Sequence, residues 1–161
     1  MLAPATPLLA AAALAGCGPL GDDGGGDGPL TEEELGARGD EVCRDAQERV
    51  AEVQRDPPTS RQESIRFAEG LIAIFEDEVA RLEALEPPDE RVEAFDRYLE
   101  ARREAIELLE QGRDAAQGDD PQGYADAQAE VAAGQVERAE LARAAGLSDC
   151  SRVAGGAPPP G

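Results

Sequence analysis

Apolar residues recur at alternating steps of three and four along residues 65–82, and this spacing constrains the fold more than any other feature. They are Ile65, Ala68, Ile72, Phe75, Val79 and Leu82. Such steps place side chains on one stripe of an α-helix, because the helix turns once every ~3.6 residues. The stripe must be buried against other helices. The spacing therefore predicts an all-α protein in which this helix is the most buried segment.

Proline pairs and capping residues divide the chain into four predicted helices. Pro57-Pro58 and Pro87-Pro88 end the first two helices, because proline cannot continue a helix and restricts the residue before it. Thr31 and Ser60 each precede a Glu by three residues, which is the spacing of a capping box. The predicted helices cover about 31–55, 60–86, 89–117 and 121–145. Residues 31–150 are thus one domain by size.

The remaining helix ends have their own predicted signals. Asp89 is the predicted cap of the third helix, and Asp120 caps the fourth with Pro121 at its first position. Gly118 is expected to follow the third helix as the C′ residue, and Gly146 to be left-handed in a Schellman turn.

The first and third helices each carry residues that interrupt the pattern. Gly36 and Gly39 weaken the first turns of helix one. Asp40 offers a second cap, so we expect the regular part of that helix to begin at Glu41. In the third helix Arg102 or Arg103 falls on the apolar stripe. A long side chain there is expected to extend along the edge of the stripe toward water.

Short connections between four helices predict an up-down-up-down four-helix bundle. In that topology the start of helix one and the end of helix four lie at the same end. Cys43 and Cys150 are the two cysteines of the domain, and we predict a disulfide between them. Two buried free thiols are the alternative.

The sequence Leu14-Ala15-Gly16-Cys17 follows an apolar run over 8–14 that is too short to span a bilayer. It resembles the lipobox of bacterial lipoproteins at all four positions. The resemblance implies that residues 1–16 are a signal peptide, that Cys17 carries a diacylglyceryl group, and that the protein is anchored on the outer face of the cell membrane. No Arg or Lys precedes Cys17, so the sequence lacks the basic segment with which a signal peptide usually begins. A true start upstream of Met1 would explain the missing basic residue. An ordinary secretory signal, giving a secreted protein, is the alternative.

The segments outside the predicted domain are rich in glycine, aspartate and proline. Residues 17–30 are expected to form a flexible tether with a mean span of about 20 Å. Residues 151–161 are expected to form a disordered tail. The aspartates at 22, 23 and 27 lack the order of ligands that an EF-hand needs.

Charge and residue types exclude several classes of function. The chain has 35 acidic and 15 basic residues, a net charge of −20, which disfavours nucleic-acid binding. It has no histidine, so imidazole ligands and Ser-His or Cys-His pairs are absent. The acidic run Glu76-Asp77-Glu78 is interpreted as solvated charge. Tyr98 and Tyr124 are interpreted as packing at the edge of the core. We therefore predict no catalytic residues, no metal and no cofactor.

Several segments together resemble small all-helical lipoproteins and secreted proteins of actinobacteria. They are Val42-Cys43-Arg44, residues 82–88, Phe95-Asp96-Arg97-Tyr98-Leu99 and residues 144–150. The resemblance implies the helical bundle and the disulfide, and it implies no activity. The expected function is a non-catalytic, lipid-anchored binding or interaction module with a protein partner in the cell envelope. A carrier of a small apolar ligand in a slot between helices two and three, and a structural envelope protein without a discrete partner, are the alternatives.

Overall fold

The protein is all-helical over residues 28–152, which are the residues that the computed structural model describes. The predicted signal peptide, Cys17, most of the predicted tether and most of the predicted tail lie outside them. The helices are α1 (Glu32–Val53), α2 (Arg61–Glu83), α3 (Val92–Gln117), α4 (Pro121–Ala133) and α5 (Gln135–Ala144). None of these helices combines the length and the apolar composition needed to cross a bilayer.

Helix α1 begins at Glu32, nine residues before the regular start that its glycines suggested. The capping box at Thr31 is confirmed, because its hydroxyl accepts from the Glu34 N–H while the Glu34 carboxylate accepts from the Thr31 N–H. Gly39 is buried in the helix, and a Cβ there would overlap with Leu147. The glycine therefore serves close packing between α1 and the end of the chain.

The capping interactions at the starts of α2 and α3 differ from the predicted ones. The Ser60 hydroxyl accepts from the Glu63 N–H at 3.3 Å, but the Glu63 carboxylate accepts from the N–H and hydroxyl of Thr59 rather than from Ser60. Helix α3 starts after Arg91 without a side-chain cap, so the prediction of Asp89 as its cap is wrong. Arg91 instead donates to Glu32, at 2.7 Å, and to the Ala144 carbonyl, at 2.9 Å.

Schellman turns follow both α3 and α5. Gly146 has φ +85°, and the Leu147 N–H donates to the Ala142 carbonyl at 2.9 Å, as predicted. After α3 the left-handed residue is Asp119, with φ 61°, whereas Gly118 has φ −75°. The prediction of Gly118 as the C′ residue is therefore wrong by one position, and an aspartate occupies the conformation that glycine favours.

The predicted fourth helix, 121–145, is two helices that are separated at Gly134. A Cβ at Gly134 would overlap with the guanidinium of Arg138. That guanidinium lies across the break and donates to the Val131 carbonyl at 2.5 Å. Gly134 therefore leaves room at the break for an arginine that donates to a backbone carbonyl of α4.

Two groups of buried apolar side chains fill the protein. The terminal core is named for the first and last parts of the described residues, which meet in it. It contains Leu35, Val42, Leu82, Phe95, Tyr98, Leu99, Ala142, Ala145 and Leu147. The distal core contains Leu71, Ile72 and Leu109, with Val50, Val53, Phe67, Phe75, Ile106 and Val131 packed against it. Leu30, at the end of the predicted tether, donates its N–H to the Glu86 carbonyl at 2.8 Å and packs on the terminal core.

Candidate functional site

A carboxylate is buried between α2 and α3. Only 4% of Glu78 is exposed, so the interpretation of this residue as solvated charge is wrong, although Glu76 is exposed as expected. Glu78 continues the row of buried residues Leu71 and Ile74 at steps of three and four toward Leu82. That row is visible in the sequence, and following it beyond Ile74 would have placed Glu78 inside.

Two residues of α3 satisfy the Glu78 carboxylate. The Tyr98 hydroxyl donates to Oε1 at 3.0 Å, and the Arg102 guanidinium forms an ion pair with Oε2. Tyr98 and Arg102 are four residues apart and thus lie on the same side of α3. Only 13% of the Arg102 side chain is exposed, and its Cζ lies 4.0 Å from the centroid of the Phe75 ring. Arg102 therefore points into the protein, and the predicted extension toward water is wrong.

Burial sets the protonation of the groups around this ion pair. Burial of Tyr98 is the main reason why its pKa lies far above the ordinary value, and the Glu78 carboxylate adds to the rise. Burial also lowers the pKa of Arg138, and repulsion from Arg102 lowers it further. Nε of Arg102 is buried and has no hydrogen-bond partner among the described residues. The cluster of Glu78, Tyr98, Arg102 and Arg138 therefore keeps its tyrosine protonated and its glutamate paired.

The cysteines lie beside this cluster, at disulfide distance from each other. Their Cα atoms are 5.1 Å apart, within the range that disulfides require. Cys43 is 1% exposed, whereas Cys150 is half-buried in the turn after α5. The two sulfur atoms and one carboxylate oxygen of Glu78 all lie within 4.8 Å of one another. The structure thus brings both predicted cysteines to the only carboxylate that α2 buries.

A buried aspartate holds the turn that carries Cys150 against α1. The Asp149 N–H donates to Oδ1 of Asp40 at 2.7 Å, and its carbonyl accepts from Gln47 at 2.5 Å. Its carboxylate pairs with Arg44 at 3.1 Å and with Arg152 at 2.8 Å. Sequence reasoning missed Asp149 and assigned Asp40 to a helix cap, because a partner 109 residues away leaves no local pattern.

Two open clefts lie elsewhere on the surface. The distal cleft, of about 300 Å³, lies where α2 and α4 begin and has Pro58, Arg61, Asp120 and Tyr124 in its wall. Tyr124 is half-buried there, and this burial raises its pKa while a hydrogen bond with Ser64 lowers it. The α2–α3 groove, of about 350 Å³, has charged rims and a small apolar floor. Its lining residues are Glu76, Val79, Ala80, Glu83, Arg103, Ile106 and Glu107.

The reactive groups of the buried cluster are engaged with one another in this arrangement. Arg102 pairs with Glu78, Tyr98 stays protonated, and the two sulfur atoms face each other. Comparison of the chain with protein-family models, with curated proteins and with solved structures gives no match.

Proposed function

We propose that the protein is a non-catalytic, lipid-anchored interaction module on the outer face of the cell membrane. In this proposal residues 1–16 are a cleaved signal peptide and Cys17 carries the lipid. Residues 17–30 then link the lipid to the helical domain. Two acyl chains on one cysteine suffice for stable anchoring, since one chain alone binds only marginally. The strong negative charge of the chain would keep the domain away from anionic headgroups.

We further propose that the helices form an up-down-up-down bundle, with α4 and α5 together as its fourth member, and that a disulfide between Cys43 and Cys150 closes it. Hydrogen bonds between the ends of the helices support this arrangement. Arg91 before α3 contacts the start of α1 and the end of α5, and Leu30 bonds to Glu86 after α2. At the opposite end, Arg61 of α2 lies 3.6 Å from Asp119 after α3.

The single observation that carries the proposal is the pair of cysteines at disulfide distance, one buried and one half-buried. Disulfides persist in oxidising compartments and are rare in the cytosol. A pair whose Cα atoms are 5.1 Å apart agrees with the destination that the lipobox resemblance implies. Two independent features of the sequence, one near the N-terminus and one in the domain, therefore favour the same location outside the membrane.

An interaction role has more support than the alternative of an apolar-ligand carrier. The α2–α3 groove, where that alternative would place the ligand, is lined by Glu76, Glu83 and Glu107 as well as by Arg103. Carriers of apolar ligands use largely apolar pockets instead. A purely structural protein would have no specific partner, and cross-linking distinguishes that case.

The anchor is tested with the Cys17→Ala variant in the native bacterium. We expect the unaltered protein to incorporate radiolabelled palmitate and to fractionate with the membrane. The variant should lose both properties. Glu33→Ala, at an exposed position of the domain, is the control and should leave both properties unchanged. Equal labelling of the Cys17→Ala variant would contradict the proposal.

The partner is tested by photo-cross-linking in living cells. A photoreactive residue replaces Thr59 beside the distal cleft in one variant and Glu33, in the first turn of α1, in another. Both positions are exposed. We expect at least one position to give a discrete cross-linked protein in repeated experiments. If both positions give none, the protein acts without a discrete partner and the interaction role is wrong.

A further inference from the structure

We propose that in the dithiol form of this protein Cys43, Glu78 and Cys150 bind one thiophilic divalent cation such as Zn²⁺. This inference goes beyond the proposed function and does not depend on the lipid anchor. It concerns the same two sulfur atoms as the proposed disulfide, and the two states exclude each other. Thiolates are metal ligands, whereas the formation of a disulfide consumes both of them.

The three donors lie close enough for a small tetrahedral site once the two sulfur atoms, which now lie at bonding distance, have moved apart. Zn²⁺ binds sulfur at ~2.3 Å and carboxylate oxygen at ~2.0–2.2 Å, which separates the donor atoms by roughly 3.5–3.8 Å. The three donor atoms here lie within 4.8 Å of one another. The two sulfur atoms must separate when they are reduced. Cys43 is buried in α1, so the proposal requires the half-buried side chain of Cys150 to turn away while Asp149 keeps its backbone contacts with α1.

The surroundings of Glu78 match those of a ligating carboxylate. Such carboxylates are themselves hydrogen-bonded by neighbouring groups, which fix their orientation. Tyr98 and Arg102 each use one position on the two oxygens of Glu78. A carboxylate has about four lone-pair positions, so acceptor positions remain for a cation.

Charge balance also permits a cation at this buried place. The cysteines lose two protons as they bind, and the two thiolates then neutralise the divalent charge. Glu78 remains balanced by Arg102. The complex therefore adds no net charge to the interior, where an unbalanced charge would be costly. Two sulfur donors favour Zn²⁺, Cd²⁺ and Co²⁺ over Mg²⁺ or Ca²⁺, which prefer oxygen.

The test uses Co²⁺, whose bonds to thiolates give a charge-transfer absorption in the near ultraviolet. The full chain carries Cys17→Ser so that two thiols remain, and a phosphine keeps them reduced. We expect one Co²⁺ per chain, with release of two protons. The oxidised protein should give no such band, and Cys150→Ser should lose it. If the reduced protein shows no thiolate–Co²⁺ band, the proposal is wrong.

The role of Glu78 is tested against its neighbour on the same helix. We expect Glu78→Gln to weaken Co²⁺ binding at least about tenfold, which is the scale of losses at metal sites. Glu76→Gln, at an exposed position, should leave it unchanged. Circular dichroism establishes that each variant is folded. If Glu78→Gln fails to fold, Glu78→Asp preserves the charge that Arg102 needs and should also bind more weakly. Binding by a folded Glu78 variant as tight as that of Glu76→Gln would overturn the assignment.

Discussion

The terminal core and the distal core are held together by different kinds of interaction. Around the terminal core, polar and sulfur contacts join residues more than a hundred positions apart, as between Cys43 and Cys150 or between Asp40 and Asp149. The distal core relies on aliphatic and aromatic packing around Leu71, Ile72 and Leu109.

The difference follows from what α5 can contribute. Its buried residues are the alanines Ala139 and Ala142, which remove little apolar surface from water. An alanine-rich helix therefore gains less from packing than α2, which buries Ile65, Leu71 and Leu82. The terminal core as a whole buries more apolar side chains than the distal core. The long-range polar contacts and the proposed disulfide therefore add to the weak packing of α5 and the turn after it, and they do not replace a missing apolar core.

The largest expected effect is the loss of the bond between Cys43 and Cys150. For a loop of about 100 residues, chain entropy predicts a loss of ~4.7 kcal/mol in the free energy of unfolding. Urea denaturation of the oxidised protein and of Cys150→Ser measures the difference. Cys17→Ser serves as the control and should match the unaltered protein. Equal midpoints for Cys150→Ser and the oxidised protein would show that the terminal core does not depend on this bond.

The next largest effect is expected from Glu78→Ala, which leaves Arg102 buried without its partner. Removing one member of a buried ion pair costs about 3–5 kcal/mol. Glu76→Ala, at an exposed position of the same helix, should change stability by less than about 0.5 kcal/mol. The same denaturation experiment compares them. If Glu78→Ala loses no more stability than Glu76→Ala, then water or a shifted side chain provides the buried Arg102 guanidinium with a new partner.

A third prediction addresses the distal core, where packing alone is expected to decide stability. Leu109 is fully buried, so Leu109→Ala should cost about 2–5 kcal/mol. Leu108→Ala, at a half-buried position, should cost clearly less. The cost of Leu109→Ala should be the same in oxidised and reduced protein, because the two cores share no residue. If the cost of Leu109→Ala differs between the oxidised and the reduced protein, the two cores unfold as one cooperative unit and the prediction is wrong.

The smallest effects are expected at the two Schellman turns, one at each end of the protein. Gly146→Ala places a Cβ at φ +85° and should destabilise by about 1–2 kcal/mol. Asp119→Gly relieves a similar conformation at φ 61° and should stabilise by up to about 1 kcal/mol. Gly118→Ala, at φ −75°, is the control without left-handed strain. Thermal unfolding measures the stability of all three variants. If Asp119→Gly is destabilising, the contact of Asp119 with Arg61 contributes more than the strain of its left-handed backbone costs.

Local patterns in the sequence predicted much of the helical structure. The three-four spacing of α2, the capping box at Thr31 and the turn at Gly146 depend on neighbours within a few residues. The break at Gly134, where the Arg138 guanidinium lies, was not predicted, because a single glycine does not mark the end of a helix.

The candidate site was only partly predictable for a related reason. Cys43 and Cys150 were found because few cysteines exist, whereas Glu78 was masked by its acidic neighbours Glu76 and Asp77. Its burial depends on Tyr98 and Arg102 in another helix. Asp149 likewise acquires its role from partners in α1, and a charged residue near a chain end gives no local sign of such partners.

We propose that the three cysteines divide into one for lipid and two for a disulfide. The most direct test is the intact mass of the protein extracted from the native membrane without reducing agent. We predict a chain that begins at Cys17, carries the mass of a diacylglyceryl group, and has two hydrogen atoms fewer than the dithiol form. A chain with an unmodified Cys17, or with free thiols at Cys43 and Cys150, would contradict the account.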